Sequence, residues 1–243
     1  DPFETLTELD DVSWVGFFTF RSLRLYAKEA GYCPALGEEQ VMSGEEQATE
    51  EVTAASEDFV RTTYADERPA RRDAHAKDHG CVTAFFDVDN SALDPEERVG
   101  VFASNRTYPA WIRFSNGSFH VQDDAEADVR GFAIKLMEVE GDKVLERERD
   151  AQTQDFLLIN GPKMFVRNPV DYVEFSQKAL DGNPVSYFLK LDPRQWHLRE
   201  LFNLLGIVRK KPSSPLMSRY WSTTPYRLGE DNAVKWSVRP CDG

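Results

Sequence analysis

Four runs rich in β-branched and aromatic residues crowd the middle of this chain, at 81–88, 110–115, 129–139 and 155–159. Val, Thr, Ile and Phe suit a pleated, half-buried surface, and polar or turn-forming stretches separate the runs. Gly141 and Asp142 offer a hairpin turn after the third run. The charged stretch LERERDAQTQD predicts a solvated turn before the fourth. Strands this close in sequence pair most simply as antiparallel neighbours, so the centre predicts an antiparallel sheet or barrel.

The flanks read differently. EEQATEEVTAASEDFVRTTY, at 45–64, predicts an amphipathic helix with an acidic first turn and Val60 and Tyr64 on its later part. After Asn160 three segments begin with the same pair, at Asn168–Pro169, Asn183–Pro184 and Asp192–Pro193. The polar side chain caps, and proline at the first helical position gives up an N–H that has no partner there anyway. In the last of these segments Leu198, Leu201, Phe202 and Leu205 predict one apolar stripe, and Trp196 and His197 read as packing residues. The tail, 212–243, reads as an extended wrapping segment. An α+β fold follows, divided into an N-terminal arm and helix at 1–65 and a core at 66–243.

A formal net charge of −13 argues against nucleic acid as a partner, because phosphate binding needs a basic face. The three cysteines, Cys33, Cys81 and Cys241, lie far apart and form no C-x-x-C, which indicates neither a disulfide framework nor a zinc knuckle. Within the arm, Trp14, Phe17, Phe18 and Phe20 stand beside Arg21 and Arg24. That pattern at 14–26 suits contact with a membrane surface, and it equally suits packing on the chain's own domain or on a partner subunit. Homo-oligomerisation and the compartment, cytoplasmic or periplasmic, stay open.

Chemistry concentrates in four blocks. RDAHAK, at 72–77, sets Arg72 and His75 three residues apart at the entrance to the first strand, where both can face one ligand. YPAWIRFSNG carries Arg113 and Ser115. DVRGFAIK carries Gly131. DFLLINGP carries Asn160 and leads into FVRNP, with Phe165, and on to Tyr172. A neutral histidine is an acid–base group near pH 7, and arginine forks match carboxylates. His75, His79 and Cys81 raise a rival reading as metal ligands, although Gly80 and the β-branched residues after it point to a strand and no fourth ligand is evident.

In this order and spacing the blocks resemble catalases. The likeness extends over roughly residues 68–180 and is strongest toward small catalase-related proteins and allene oxide synthases. The resemblance implies a catalase-type antiparallel β-barrel with an N-terminal arm and flanking helices, holding haem b. It implies a peroxide-handling oxidoreductase acting on hydrogen peroxide or an organic hydroperoxide. An allene oxide synthase type of isomerase or dehydratase for fatty-acid hydroperoxides, or a non-catalytic haem- or lipid-binding scaffold, are the alternatives.

Residue by residue, the resemblance makes His75 the acid–base group and Asn160 a donor to the peroxide. It places Arg72 and Arg113 on the haem propionates and Ser115 behind the His75 ring. Gly131 lets the backbone approach the haem, and Phe165 and Tyr172 form aromatic walls. Ala74 stands where ordinary catalases carry Val and allene oxide synthases Thr, which leaves more distal room. Relatives hold iron through a tyrosine in an R-x-x-x-Y helix, and no tyrosine here has an arginine four residues before it. The resemblance therefore implies a shortened core, with the ligand helix expected beyond Gly243.

Overall fold

Alternation along the central runs decides the architecture. In the computed structural model, which describes residues 41–209, 214–230 and 232–241, these runs become β1 (Asp78–Asp87), β2 (Thr107–Asn116), β3 (Arg130–Met137) and β4 (Thr153–Ile159). Each pairs antiparallel with the next. The tail adds β5 (Tyr220–Ser222) beside β4 and β8 (Ser237–Val238) beside β5. Between them β6 (Tyr226–Arg227) and β7 (Ala233–Val234) form a separate two-stranded ribbon. The expectations for Trp14 to Phe20, for residues 14–26 and for Cys33 fall outside the described residues.

The main sheet is a curled half-barrel of six strands in the order β1-β2-β3-β4-β5-β8. It does not close among the described residues: β1 and β8 are its edges. Its far edge is short: β5 and β8 contribute three and two residues against ten in β1. The fold is mixed α+β.

Side chains alternate across a strand. One face presents Tyr108, Ala110 and Phe114 from β2, Phe132, Ile134 and Leu136 from β3, and Phe156 and Leu158 from β4, forming the main core with Tyr220. The intervening residues look the other way. There the register aligns Ser115 with Gly131 and Gly131 with Ile159, and Arg113 with Ala133 and Ala133 with Leu157. These two rows floor the cavity described below.

Helices cover that second face. α1 (Glu45–Thr63) ends where the sequence pattern does, and buried Tyr64 donates its hydroxyl to the Phe119 carbonyl at 2.8 Å. α2 (Pro169–Leu180) starts as its Asn–Pro pair predicts, with Asn168 accepting from the Asp171 N–H at 2.8 Å. A short α3 (Val185–Phe188) follows Asn183–Pro184. The Asp192–Pro193 pair starts only a single 3-10 turn, Pro193–Gln195. The chain then straightens at Trp196, whose indole N–H is drawn to the Lys190 carbonyl, and His197 stacks on Tyr187 with ring centroids 4.6 Å apart. α4 (Leu198–Val208) begins only after this.

The inward face of α4 also differs from the expected stripe. Phe202 is 68% exposed and Leu198 43%, whereas Leu201 and Leu204 pack on the second apolar cluster and Ile207 is buried. The helix is turned by Glu200, which is buried and ion-paired with Arg167. A buried carboxylate needs a partner, and supplying one rotates the hydrophobic face by about a residue.

Candidate active site

Between the second sheet face and the helices lies a cavity of about 1050 Å³. This is at the top of the usual ligand-pocket range of ~300–1000 Å³. Its sheet-side floor carries Arg113, Ser115 and Gly131. The segment entering β1 brings Arg72, Ala74 and His75, and Phe165 and Tyr172 close it from the helical side. Every residue that the resemblance assigns to the haem pocket lines this cavity except Asn160.

His75 is the most constrained of them. Its φ is 57°, in the left-handed region uncommon for a residue with a Cβ. Three contacts hold it there. Its N–H donates to the Gly117 carbonyl at 3.3 Å. Arg113 donates from Nη2 to its carbonyl at 2.8 Å. Its ring Nδ1 lies 3.0 Å from Ser115 Oγ. Gly131 completes the seat, because a Cβ there would sit 2.6 Å from both His75 Nδ1 and Ser115 Oγ. The space that a Cβ would need at Gly131 is taken by the imidazole and the Ser115 hydroxyl.

The electrostatics follow from this packing. Burial holds the His75 pKa below its ordinary 6.5, and the guanidinium of Arg113 pushes it the same way, with Arg72 adding a smaller push. The ring is therefore neutral at pH 7. Burial also depresses Arg113, with Arg72 adding repulsion. Arg72 itself is exposed, at the cavity rim, with no ion pair among the described residues. A chain of strongly negative charge thus turns a cationic end into this cavity.

Asn160 is 3% exposed but faces away. Its Oδ1 accepts from the Arg130 backbone N–H at 2.8 Å, and its own N–H donates to the Arg130 carbonyl at 3.0 Å. It thus closes the β3–β4 ladder with a side-chain oxygen where the ladder's own carbonyl would have served. Its Nδ2 is buried and has no acceptor among the described residues.

His79 and Cys81 do not join His75. His79 Nε2 lies 2.7 Å from Asn116 Oδ1, and Cys81 is exposed in β1, paired across the sheet with Arg113. No group of three His, Cys, Asp or Glu among the described residues could hold a metal ion.

Asp128, which opens the DVRGFAIK block, also belongs to the site. It lines the cavity, and Oδ2 accepts from the Ser118 N–H and from Gln122 Nε2, each at 3.1 Å. Burial raises its carboxyl pKa. An acidic residue directly ahead of an apolar strand was the available signal. Leu204, Val208 and Thr223–Pro225 also line the cavity from far along the chain, and no local pattern announces them.

No family model matches this chain, and no curated protein does either. What the cavity suits has to be judged from its donor set. A large apolar volume with two arginines and a fixed neutral histidine at one end fits one face of a flat, apolar, carboxylate-bearing group such as haem. The opposite face finds no ligand among the described residues. Among the described residues Tyr172 is the one tyrosine that lines the cavity, and burial, aided by the Asp73 carboxylate, raises its pKa and keeps it a phenol.

Proposed function

We propose that this cavity takes haem and that the chain handles a peroxide, with His75 as the acid–base group. The observation that carries the reading is the His75 seat: a neutral imidazole fixed on Ser115 over Gly131, beside two arginines, in a large apolar cavity. On this reading the open sheet is half of a catalase-type barrel.

Haem, when bound, supplies the redox-active iron at which the O–O bond of a peroxide is cleaved. The chain's own part is to place and move a proton. With Nδ1 engaged by Ser115, Nε2 is the ring nitrogen left for chemistry. A Ser115 hydroxyl that accepts from Nδ1–H leaves Nε2 bare and basic. Nε2 would accept the proton of one peroxide oxygen and return it to the other, which would leave as water or an alcohol, with haem supplying the two electrons of the cleavage and keeping the first oxygen. The depressed pKa keeps Nε2 ready to accept. Arg72 at the rim would bind a propionate, and the apolar walls exclude bulk water.

A fatty-acid hydroperoxide isomerase or dehydratase is the second reading. It is favoured by the apolar lining that α2 and α4 give the cavity through Phe175, Ala179, Leu204 and Val208, which would suit an acyl chain.

Haem titration followed by absorption spectroscopy tests the reading, with oxygen release from hydrogen peroxide and product analysis of a fatty-acid hydroperoxide as the activity arms. One haem per chain is expected, and His75→Ala is expected to lower peroxide turnover by ~100-fold or more. Absence of stoichiometric haem binding would replace the enzyme reading with a scaffold. Unchanged turnover in His75→Ala would remove His75 from the chemistry.

A further inference from the structure

We propose that Arg113 is a positioning residue for His75: its guanidinium, bonded to the His75 carbonyl, holds the left-handed backbone turn that lays the imidazole over Gly131. This rests on the reading of His75 as the acid–base group, and it departs from the carboxylate-binding role that resemblance implies for Arg113.

The two arginines beside His75 are placed differently. Arg113 projects from the middle of β2, where its backbone is paired with Cys81 on one side and Ala133 on the other. Its base is therefore rigid. Nη2 meets the His75 carbonyl at 2.8 Å, a charge-assisted bond and the shorter of the two that fix this backbone, against 3.3 Å for the amide donated to Gly117. Arg72 lies on the entering segment itself, exposed and without an ion pair among the described residues. It is the arginine left free for a ligand's carboxylate.

Geometry explains why such a hold is needed. A left-handed conformation crowds Cβ against the following carbonyl, so a residue other than glycine keeps it only when its surroundings impose it. At His75 the amide bond is long and the ring contact to Ser115 acts only on the side chain. The Arg113 bond acts on the carbonyl, the group that the left-handed turn redirects. Without it the backbone relaxes toward ordinary φ and the ring leaves the space above Gly131.

Amide hydrogen exchange on the full chain, without haem, tests this. Arg113→Met keeps the length and apolar stem of the side chain and removes every donor. Exchange at the His75 and Ala76 amides, which donate to Gly117 and Ser118, is expected to quicken about tenfold or more, the worth of a charge-assisted hydrogen bond. The amide of Ile134 in β3 should keep its rate. Arg113→Lys, which retains the charge and one compact donor, should recover part of the protection, and Arg72→Ala should leave exchange at His75 unchanged. Wild-type rates at His75 and Ala76 in Arg113→Met would overturn the proposal. Equal acceleration at Ile134 would also overturn it, by making Arg113 a general stability residue. Haem titration of the same proteins separates the two readings. Local acceleration in a chain that binds no haem keeps the positioning role and ends the peroxide reading. Haem binding by the wild type with unaltered exchange in Arg113→Met does the reverse.

Discussion

Gly131→Ala is the sharpest perturbation available to this site. The added methyl would lie 2.6 Å from His75 Nδ1, 2.6 Å from Ser115 Oγ and 2.7 Å from His75 Cε1. Carbon contacts relax only near 3.5 Å, so both partners must retreat by almost an ångström. Neither retreats easily, because Ser115 sits within a strand paired on both sides and the His75 backbone is held by Arg113. Overpacking of this kind costs about 1–3 kcal/mol, and the lost hydrogen bond adds about 1 kcal/mol. In a chain of this size each kcal/mol lowers Tm by about 2–4 °C. Urea denaturation should therefore show a loss of roughly 2–4 kcal/mol. The displaced ring becomes hydrated, so its NMR titration should move up toward the ordinary histidine value. In a His75→Ala background most of the clash is gone and Gly131→Ala should cost at most about half as much. Unaltered stability together with an unaltered His75 titration would refute the seat.

Three further outcomes are expected. Because the folded His75 pKa is held below its unfolded 6.5, the unfolded chain binds the extra proton. Stability from this group is thus fully present above pH 6.5 and lost as pH falls from there through the folded value, an increment that His75→Gln should lack in denaturation curves taken across that window. Asn160→Ala strands the buried Arg130 N–H and should cost about 1–3 kcal/mol by urea denaturation; an effect confined to peroxide turnover would restore Asn160 to the chemistry. Arg167→Ala leaves the buried Glu200 carboxylate unpaired and should cost about 3 kcal/mol, the low end for a broken buried pair since the Arg167 side chain is 61% exposed, whereas Glu200→Gln should cost visibly less.

Much of the sheet was legible because its signal is local. Alternation in 110–115 and 129–139 places Phe114 and Phe132 in the core and so gives Ser115 and Gly131 to the opposite face. Asn168–Pro169 likewise carries its cap in its own residues. Asp192–Pro193 uses the same pair yet yields one turn, because Trp196 and His197 are claimed by Lys190 and Tyr187. The apolar stripe of α4 was misplaced for a related reason: Glu200 is buried by a partner at 167, which no periodicity within the helix reveals. At the site, residue types identified the lining but not their directions. Nothing around position 75 in the sequence announces a left-handed backbone, and nothing at 160 says that its oxygen completes a ladder.

The pairing of Ser115 with Gly131 across β2 and β3 ties folding to chemistry in an unforgiving way. Successive residues on a strand point to opposite sides, so removing a single residue from within either strand inverts the parity of the residues on one side of the deletion. Ser115 would then point into the main core, or Phe132 would stand where the imidazole rests. Such a chain could still collapse around its apolar residues, but it could not assemble the seat. The site therefore works as a checksum on the sheet. Length changes in this protein should be tolerated between strands and purged within them, and a ring signal from His75 in its Ser115-bonded state would certify the register of β2 against β3 in one measurement.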